Sequence, residues 1–218
     1  MEITSIDDIK HIYYINLEHR KDRKEKTEKE LQKINLINFE RFNAIKMQNG
    51  AIGCSMSHLK CLEQAKKLDL PHIFICEDDI EFIKPSLFIN QLNKFLKSKS
   101  NIEWDIILVA GNNMVPYNPI NDYCIQVSNC QTTTGYIVKN NYFDKLITNY
   151  KEGIQLFLRN QDKKQLYAID KYWLQLQKQD KWYLIIPLSV VQRVDFSDIE
   201  GKTTNFQNYM LNYNKAYK

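Results

Sequence analysis

The sequence predicts an α/β fold with a mostly parallel central sheet flanked by helices. Short unbroken apolar runs recur at residues 12–17, 72–76, 104–110 and 182–186, as strands covered on both faces require. Segments with helical periodicity alternate with them, the pattern of strand–helix–strand units. No internal repeat or linker divides the 218 residues, so a single domain over residues 1–218 is expected. Hydrophobic residues make up 44% and charged residues 26%, ordinary for a globular chain. A net charge of +4 is too small to argue for a nucleic-acid partner.

Taken in order, the first strand (12–17) runs into Asn16, Leu17, Arg20 and Arg23, then a highly charged helix to about residue 34. Asp22–Lys26 and Glu25–Lys29 are favourable i,i+4 pairs, so most of that helix is a solvated face. Arg20 and Arg23 differ because they sit at the strand's carboxyl end, where phosphate contacts gather; a plain surface role is the alternative. A shorter strand (38–45) precedes Gly50 and Gly53, where the backbone can approach a ligand closely. A helix follows to about residue 68, with Ser55 as N-cap and His58 in its first turn. These glycines form neither a dinucleotide fingerprint nor a P-loop.

The stretch 72–82 is the most informative. A buried strand ends in Glu77-Asp78-Asp79, and in an extended chain Glu77 and Asp79 share a side while Asp78 points away. Clustered carboxylates raise one another's pKa unless a cation neutralises them. Hard oxygen ligands suit Mn²⁺ or Mg²⁺; the plain alternative is a solvated acidic turn.

Beyond it come a helix (85–97), a strand (104–110), a short strand (124–127) and a β-rich segment (131–138) holding Thr134, Gly135 and Tyr136. A helix starts near residue 140, and Asp170 opens another helical stretch carrying Tyr172 and Trp173. After the strand at 182–186, residues 189–218 are polar and irregular, a candidate C-terminal lid. No run approaches the roughly 20 apolar residues of a spanning helix, and residues 1–10 lack a signal-peptide core. Five cysteines without a C-x-x-C pair read as reduced thiols, so a cytoplasmic protein, or one at the cytoplasmic face of a membrane, is expected.

In this order, Ile15-Asn16-Leu17 with Arg20 and Arg23, the 50–58 segment, Glu77-Asp78-Asp79, Thr134-Gly135-Tyr136, Asp170, and Gln192 with Ser197-Asp198-Ile199 resemble glycosyltransferase family 25. That group holds lipooligosaccharide and collagen galactosyltransferases, and the resemblance spans about residues 12–201. It implies a GT-A fold, a UDP-hexose donor and inversion at the anomeric carbon. Glu77 and Asp79 would hold the metal, matching the family's D-x-D motif. Asn16, Leu17, Arg20, Arg23, Gly53, Ser57, His58 and Asp78 would serve the donor; Thr134, Gly135, Tyr136 and Trp173 would lie on the acceptor side.

An acceptor hydroxyl needs a base, for which Asp170 is the candidate and Asp198 the second choice. All four histidines lie in the first third, so a late metal-ligating histidine is missing. Asp195, Asp198, Gln192 or water would have to replace it. Galactose is the expected sugar and glucose the alternative, moved to a glycan, lipooligosaccharide or hydroxylysine-type acceptor. A two-metal phosphodiesterase or nuclease, and a degenerate transferase kept as a carbohydrate- or partner-binding module, are the competing readings. Oligomeric state is left open.

Overall fold

The computed structural model describes residues 3–98 and 102–216. Strands β1 (Ile12–Asn16), β2 (Phe39–Asn43) and β3 (His72–Glu77) alternate with helices α1 (Lys21–Lys33) and α2 (Gly50–Lys67). A turn at Asp78 and Asp79 leads into β4 (Ile80–Phe82), α3 (Pro85–Lys97) and β5 (Ile106–Leu108). Four short strands follow: β6 (Asn112–Asn113), β7 (Tyr117–Pro119), β8 (Cys124–Val127) and β9 (Cys130–Gln131). Then come β10 (Gly135–Lys139), α4 (Phe143–Arg159), and three one-turn helices, α5 (Lys164–Tyr167), α6 (Ile169–Tyr172) and α7 (Leu174–Gln177). The chain ends with β11 (Trp182–Ile185), β12 (Val190–Gln192), β13 (Asp195–Ser197), β14 (Lys202–Thr204) and α8 (Gln207–Met210).

Eight strands form one sheet in the order β2-β1-β3-β10-β5-β11-β8-β7. Pairings β1–β2, β1–β3 and β5–β11 are parallel, while β10 and β8 run against their neighbours. Six of the eight strands therefore point one way, with their carboxyl ends on one edge. The expected mostly parallel sheet is present.

Side chains alternate between two cores. Tyr14, Phe74, Ile137 and Tyr183 pack on one face with Leu31 of α1 and Phe88 of α3. Tyr13, Ile75, Tyr136 and Trp182 pack on the other with Leu62 of α2 and Leu146 of α4. Burial on both faces explains why the central strands read as unbroken apolar runs.

Two segments differ from expectation. The run at 104–110 forms a strand only over β5, and Trp104 before it packs against Phe95 with the two rings tilted. The C-terminal part is not irregular: β12 pairs antiparallel with β4, β13 and β14 form a hairpin, and Val190, Val191 and Met210 are buried. Small strands anchored by few apolar residues carry too little periodicity to read from sequence. Among the described residues, no helix is long and apolar enough to cross a membrane.

Candidate active site

A cleft of about 720 Å³ opens at the carboxyl edge of β1, β2 and β3. Glu77, the last residue of β3, lies on its wall with Asp78 and Asp79. Because β10 runs against β3, the chain enters β10 from this same edge. The Glu77 backbone N–H donates to the Thr134 carbonyl at 3.0 Å, and Thr132 and Thr133 line the cleft.

Each carboxylate has its own surroundings, because the chain leaves the strand at Glu77 and turns. Glu77 Oε1 lies 2.6 Å from Thr133 Oγ1, 3.2 Å from His58 Nε2 and 3.4 Å from Cys54 Sγ. Burial pushes Glu77 up, but His58, Thr133 and Cys54 together outweigh that and hold it below the usual range. Asp78 is buried between Arg23 Nη1, donating to Oδ1 at 2.6 Å, and Asn16 Nδ2, donating to Oδ2 at 2.7 Å. Burial nevertheless prevails over Arg23 and raises its pKa. Asp79 receives only a 3.4 Å contact from Gln192 Nε2 on Oδ2, and its Oδ1 is buried without a partner. Burial, then the charges of Glu77 and Asp78, push Asp79 up to about 8.

Helix α2 begins at Gly50, capped by Asn49, whose side chain accepts from the Ala51 N–H at 3.2 Å. The expected cap at Ser55 is therefore six residues late, because Asn49 is itself a good cap and the glycines fit the first turn. Ser55 lies inside the helix and donates to the Ala51 carbonyl. His58 is in the third turn and fully buried, so the helix's positive end does not act on it. Its Nδ1 lies 2.9 Å from the Tyr136 hydroxyl. Gly53 and Ser57 shape the cleft wall from behind. A Cβ at Gly53 would come within 2.4 Å of the Ile45 carbonyl, and Ser57 Oγ accepts from the Ile45 N–H at 2.8 Å.

Of the residues expected on the acceptor side, Thr134, Tyr136 and Trp173 are 0% exposed and Gly135 is buried. These four are core residues: a Cβ at Gly135 would strike Val109 at 2.6 Å, and the Trp173 indole donates to the Cys130 carbonyl. The expected aromatic platform for a sugar is therefore absent at Trp173. Asp170 does line the cleft, in the first turn of α6 and not as a cap. Its Oδ2 accepts from the Thr132 N–H at 3.1 Å, and Thr132 sits at φ 73°, a left-handed conformation strained for a β-branched residue. Burial raises the Asp170 pKa against the pull of Lys171.

The β13–β14 hairpin closes over the opposite wall. Arg20 Nη1 meets Asp198 Oδ2 at 2.5 Å, and Arg20 also pairs with Asp22. Arg23 Nη2 donates to the Phe196 carbonyl at 3.0 Å. Leu17 and Arg23 face the cleft, whereas Asn16 is buried beneath it, accepting from Arg41 Nε at 2.9 Å. Arg23 is not the surface residue its charged helix suggests: 9% exposed, it is the counter-charge of Asp78.

Cys54, Thr133 and Arg193 escaped sequence reasoning. Thr133 stood in a conspicuous threonine run, and Cys54 beside Gly53; Arg193 carries no motif. Arg193 Nη2 donates to the Asp78 carbonyl at 2.8 Å, while its Nε and Nη1 are buried without hydrogen-bond partners.

In fold, the chain is similar to A197 from STIV, at 10% identity and a TM-score of 0.50, covering 85% of this chain and 86% of that one. A glycosyltransferase involved in the glycosylation of the major capsid of PBCV-1 aligns at 11% identity and a TM-score of 0.42, over 81% and 91% of the two chains. Mannose-1-phosphate geranyltransferase from Thermus thermophilus aligns at 8% identity and a TM-score of 0.41, over 80% and 72%. No curated protein matches the sequence. The profile of glycosyltransferase family 25 (LPS biosynthesis protein) matches residues 46–173, more than half of the chain. That span holds α2, the three carboxylates and Asp170, and the chain belongs to glycosyltransferase family 25, with its GT-A-like fold.

Proposed function

We propose that this glycosyltransferase moves a hexose, galactose first and glucose second, from a UDP-sugar to a glycan, lipooligosaccharide or hydroxylysine-type acceptor, using Mn²⁺ or Mg²⁺. The observation that carries the metal reading is the buried, unpartnered Oδ1 of Asp79 beside two further carboxylates on the cleft wall. A carboxylate driven up to about 8 by burial and like charge is one that a hard cation relieves. Asp79 and Glu77 would hold the ion, which would neutralise charge developing on the diphosphate leaving group.

This chain's own residues supply the rest. Arg23, which lines the cleft and is fixed by Asp78, gives the donor's phosphates a positive charge on the wall. Arg20 does not line the cleft and is held by Asp22 and Asp198, so its contribution would be from a distance. Asp170 lies on the cleft wall, close enough for the charge of Glu77 to act on it. Its raised pKa suits a base taking the proton of the attacking acceptor hydroxyl near neutral pH. Asp198 is the weaker candidate because Arg20 already claims its carboxylate. Five unpaired cysteines accord with a reducing, cytoplasmic setting.

The test is UDP release over a panel of UDP-sugars, with Mn²⁺, with Mg²⁺ and with EDTA. UDP-galactose with Mn²⁺ should give the fastest acceptor-dependent release, EDTA should abolish it, and Asp79→Asn should match EDTA. Turnover in EDTA at the Mn²⁺ rate, or full Mn²⁺-dependent turnover by Asp79→Asn, would overturn the metal assignment.

A further inference from the structure

We infer that Cys54, His58 and Glu77 form a second, softer metal site on the cleft wall, suited to Zn²⁺. Cys54 and His58 are four residues apart on α2, so they share a helix face, and Glu77 ends the strand that face covers. Their ligand atoms all lie within 4.8 Å of one another. The imidazole Nε2 is 3.2 Å and the thiol sulfur 3.4 Å from the same oxygen, Glu77 Oε1. Zinc bonds of about 2.0–2.3 Å at tetrahedral angles place ligand atoms roughly 3.3–3.7 Å apart. Two edges of a tetrahedron are thus nearly formed already.

The chemistry selects the ion. Sulfur and imidazole favour Zn²⁺ over Mg²⁺ or Mn²⁺, which take oxygen. All three residues line the cleft, so a fourth position faces it and stays open to water or a ligand. An outer layer is also present: the Tyr136 hydroxyl lies 2.9 Å from His58 Nδ1, and Thr133 Oγ1 donates to Glu77. Such partners fix ring orientation and ligand basicity in metal sites. Among the described cysteines only Cys54 lines the cleft, so it is the one an entering ion would meet. As the metal–sulfur bond forms, the thiol proton leaves to solvent. The site stands independently of the transferase reading; only its consequence, that zinc would withdraw Glu77 from the donor-side cation, rests on that reading.

The test uses the full chain stripped with EDTA, titrated calorimetrically with Zn²⁺ and spectroscopically with Co²⁺. One Zn²⁺ per chain and a thiolate-to-cobalt charge-transfer band are expected. Cys54→Ser should lose the band and roughly 100-fold or more in Zn²⁺ affinity. Asp79→Asn should keep both while losing Mn²⁺-dependent UDP release, which separates this site from the donor-side one. No thiolate band in the wild-type chain, a result that needs no variant to fold, would overturn the inference. So would unchanged Zn²⁺ affinity in folded Cys54→Ser.

Discussion

Replacing Arg23 by Ala tests whether the acidic wall is held in place by a buried counter-charge. Arg23 and Asp78 are 9% and 7% exposed, with Nη1 and Oδ1 2.6 Å apart. Removing one partner of such a pair costs about 3–5 kcal/mol, because a buried charge is left uncompensated. Asp78 would keep the 2.7 Å bond from Asn16, which places the cost near the lower end, about 3 kcal/mol. For a chain of this size that lowers the melting temperature by roughly 6–12 °C. The sign of the pH dependence follows from Asp78. Its folded pKa already lies above the ordinary value, and losing Arg23 raises it further. A raised carboxyl pKa gives stability at acid pH that is lost as pH climbs through the folded value, so the deficit should grow with pH. Urea unfolding of wild type, Arg23→Ala and Arg23→Ala/Asp78→Asn at pH 5.5 and 7.5 measures all of this, with the double variant recovering much of the loss at pH 7.5. A single variant as stable as wild type, or a double variant no better than the single, would refute the reasoning.

Asp79→Asn in EDTA should gain stability over wild type as pH rises. Native Asp79 keeps its proton up to about 8 while the unfolded carboxyl ionises near 4, so wild type loses up to about 1.4 kcal/mol per pH unit between them; parallel unfolding profiles would count against this. Asp170→Asn should bind UDP and Mn²⁺ normally while transfer falls roughly 10²-fold, read from single-turnover rates; unimpaired transfer would remove Asp170 as the base. Gly53→Ala should destabilise by about 2–3 kcal/mol, because its Cβ meets the Ile45 carbonyl oxygen at 2.4 Å; an unchanged melting temperature would show that the 44–48 loop yields freely.

The central strands were readable because burial on both faces writes itself as apolar runs, and the carboxylates were readable because three in a row end one such run. What strand alternation could not foresee is the turn at Asp78 and Asp79, which gives each carboxylate a separate set of partners. Helix α1 misled in the opposite way. Its dense charge reads as solvated, yet Thr27 donates to the Asp78 carbonyl and Glu30 accepts from the Phe82 N–H. Those bonds link residues 51 and 52 positions apart, and no local pattern encodes them. Tyr136 and Trp173 show the same limit: one stood out by its place in the ordered set and the other as an aromatic beside Asp170, but only packing reveals that both are core.

Where the fold leaves its polar groups unmatched bears on what the cleft receives. Eleven buried side-chain polar atoms among the described residues lack a hydrogen-bond partner, and five belong to Arg23, Asp79, Arg193 and Asp195. Each such atom costs about 1–3 kcal/mol, so five at one corner concentrate a cost that a bound partner would relieve. The corner carries both signs. Asp195 Oδ2 lies 3.7 Å from Arg23 Nε and 3.8 Å from Arg193 Nε, close enough for attraction but not for hydrogen bonds. Asp79 meanwhile has an oxygen with no donor at all. Of these four residues Asp79 and Arg23 line the cleft, so a ligand joining a cation to an anionic group would meet both there, the cation at Asp79 and the anion at Arg23. The metal-bound nucleoside diphosphate proposed above has that character, whereas a neutral sugar, whose hydroxyls can hydrogen-bond to such atoms, would supply neither charge.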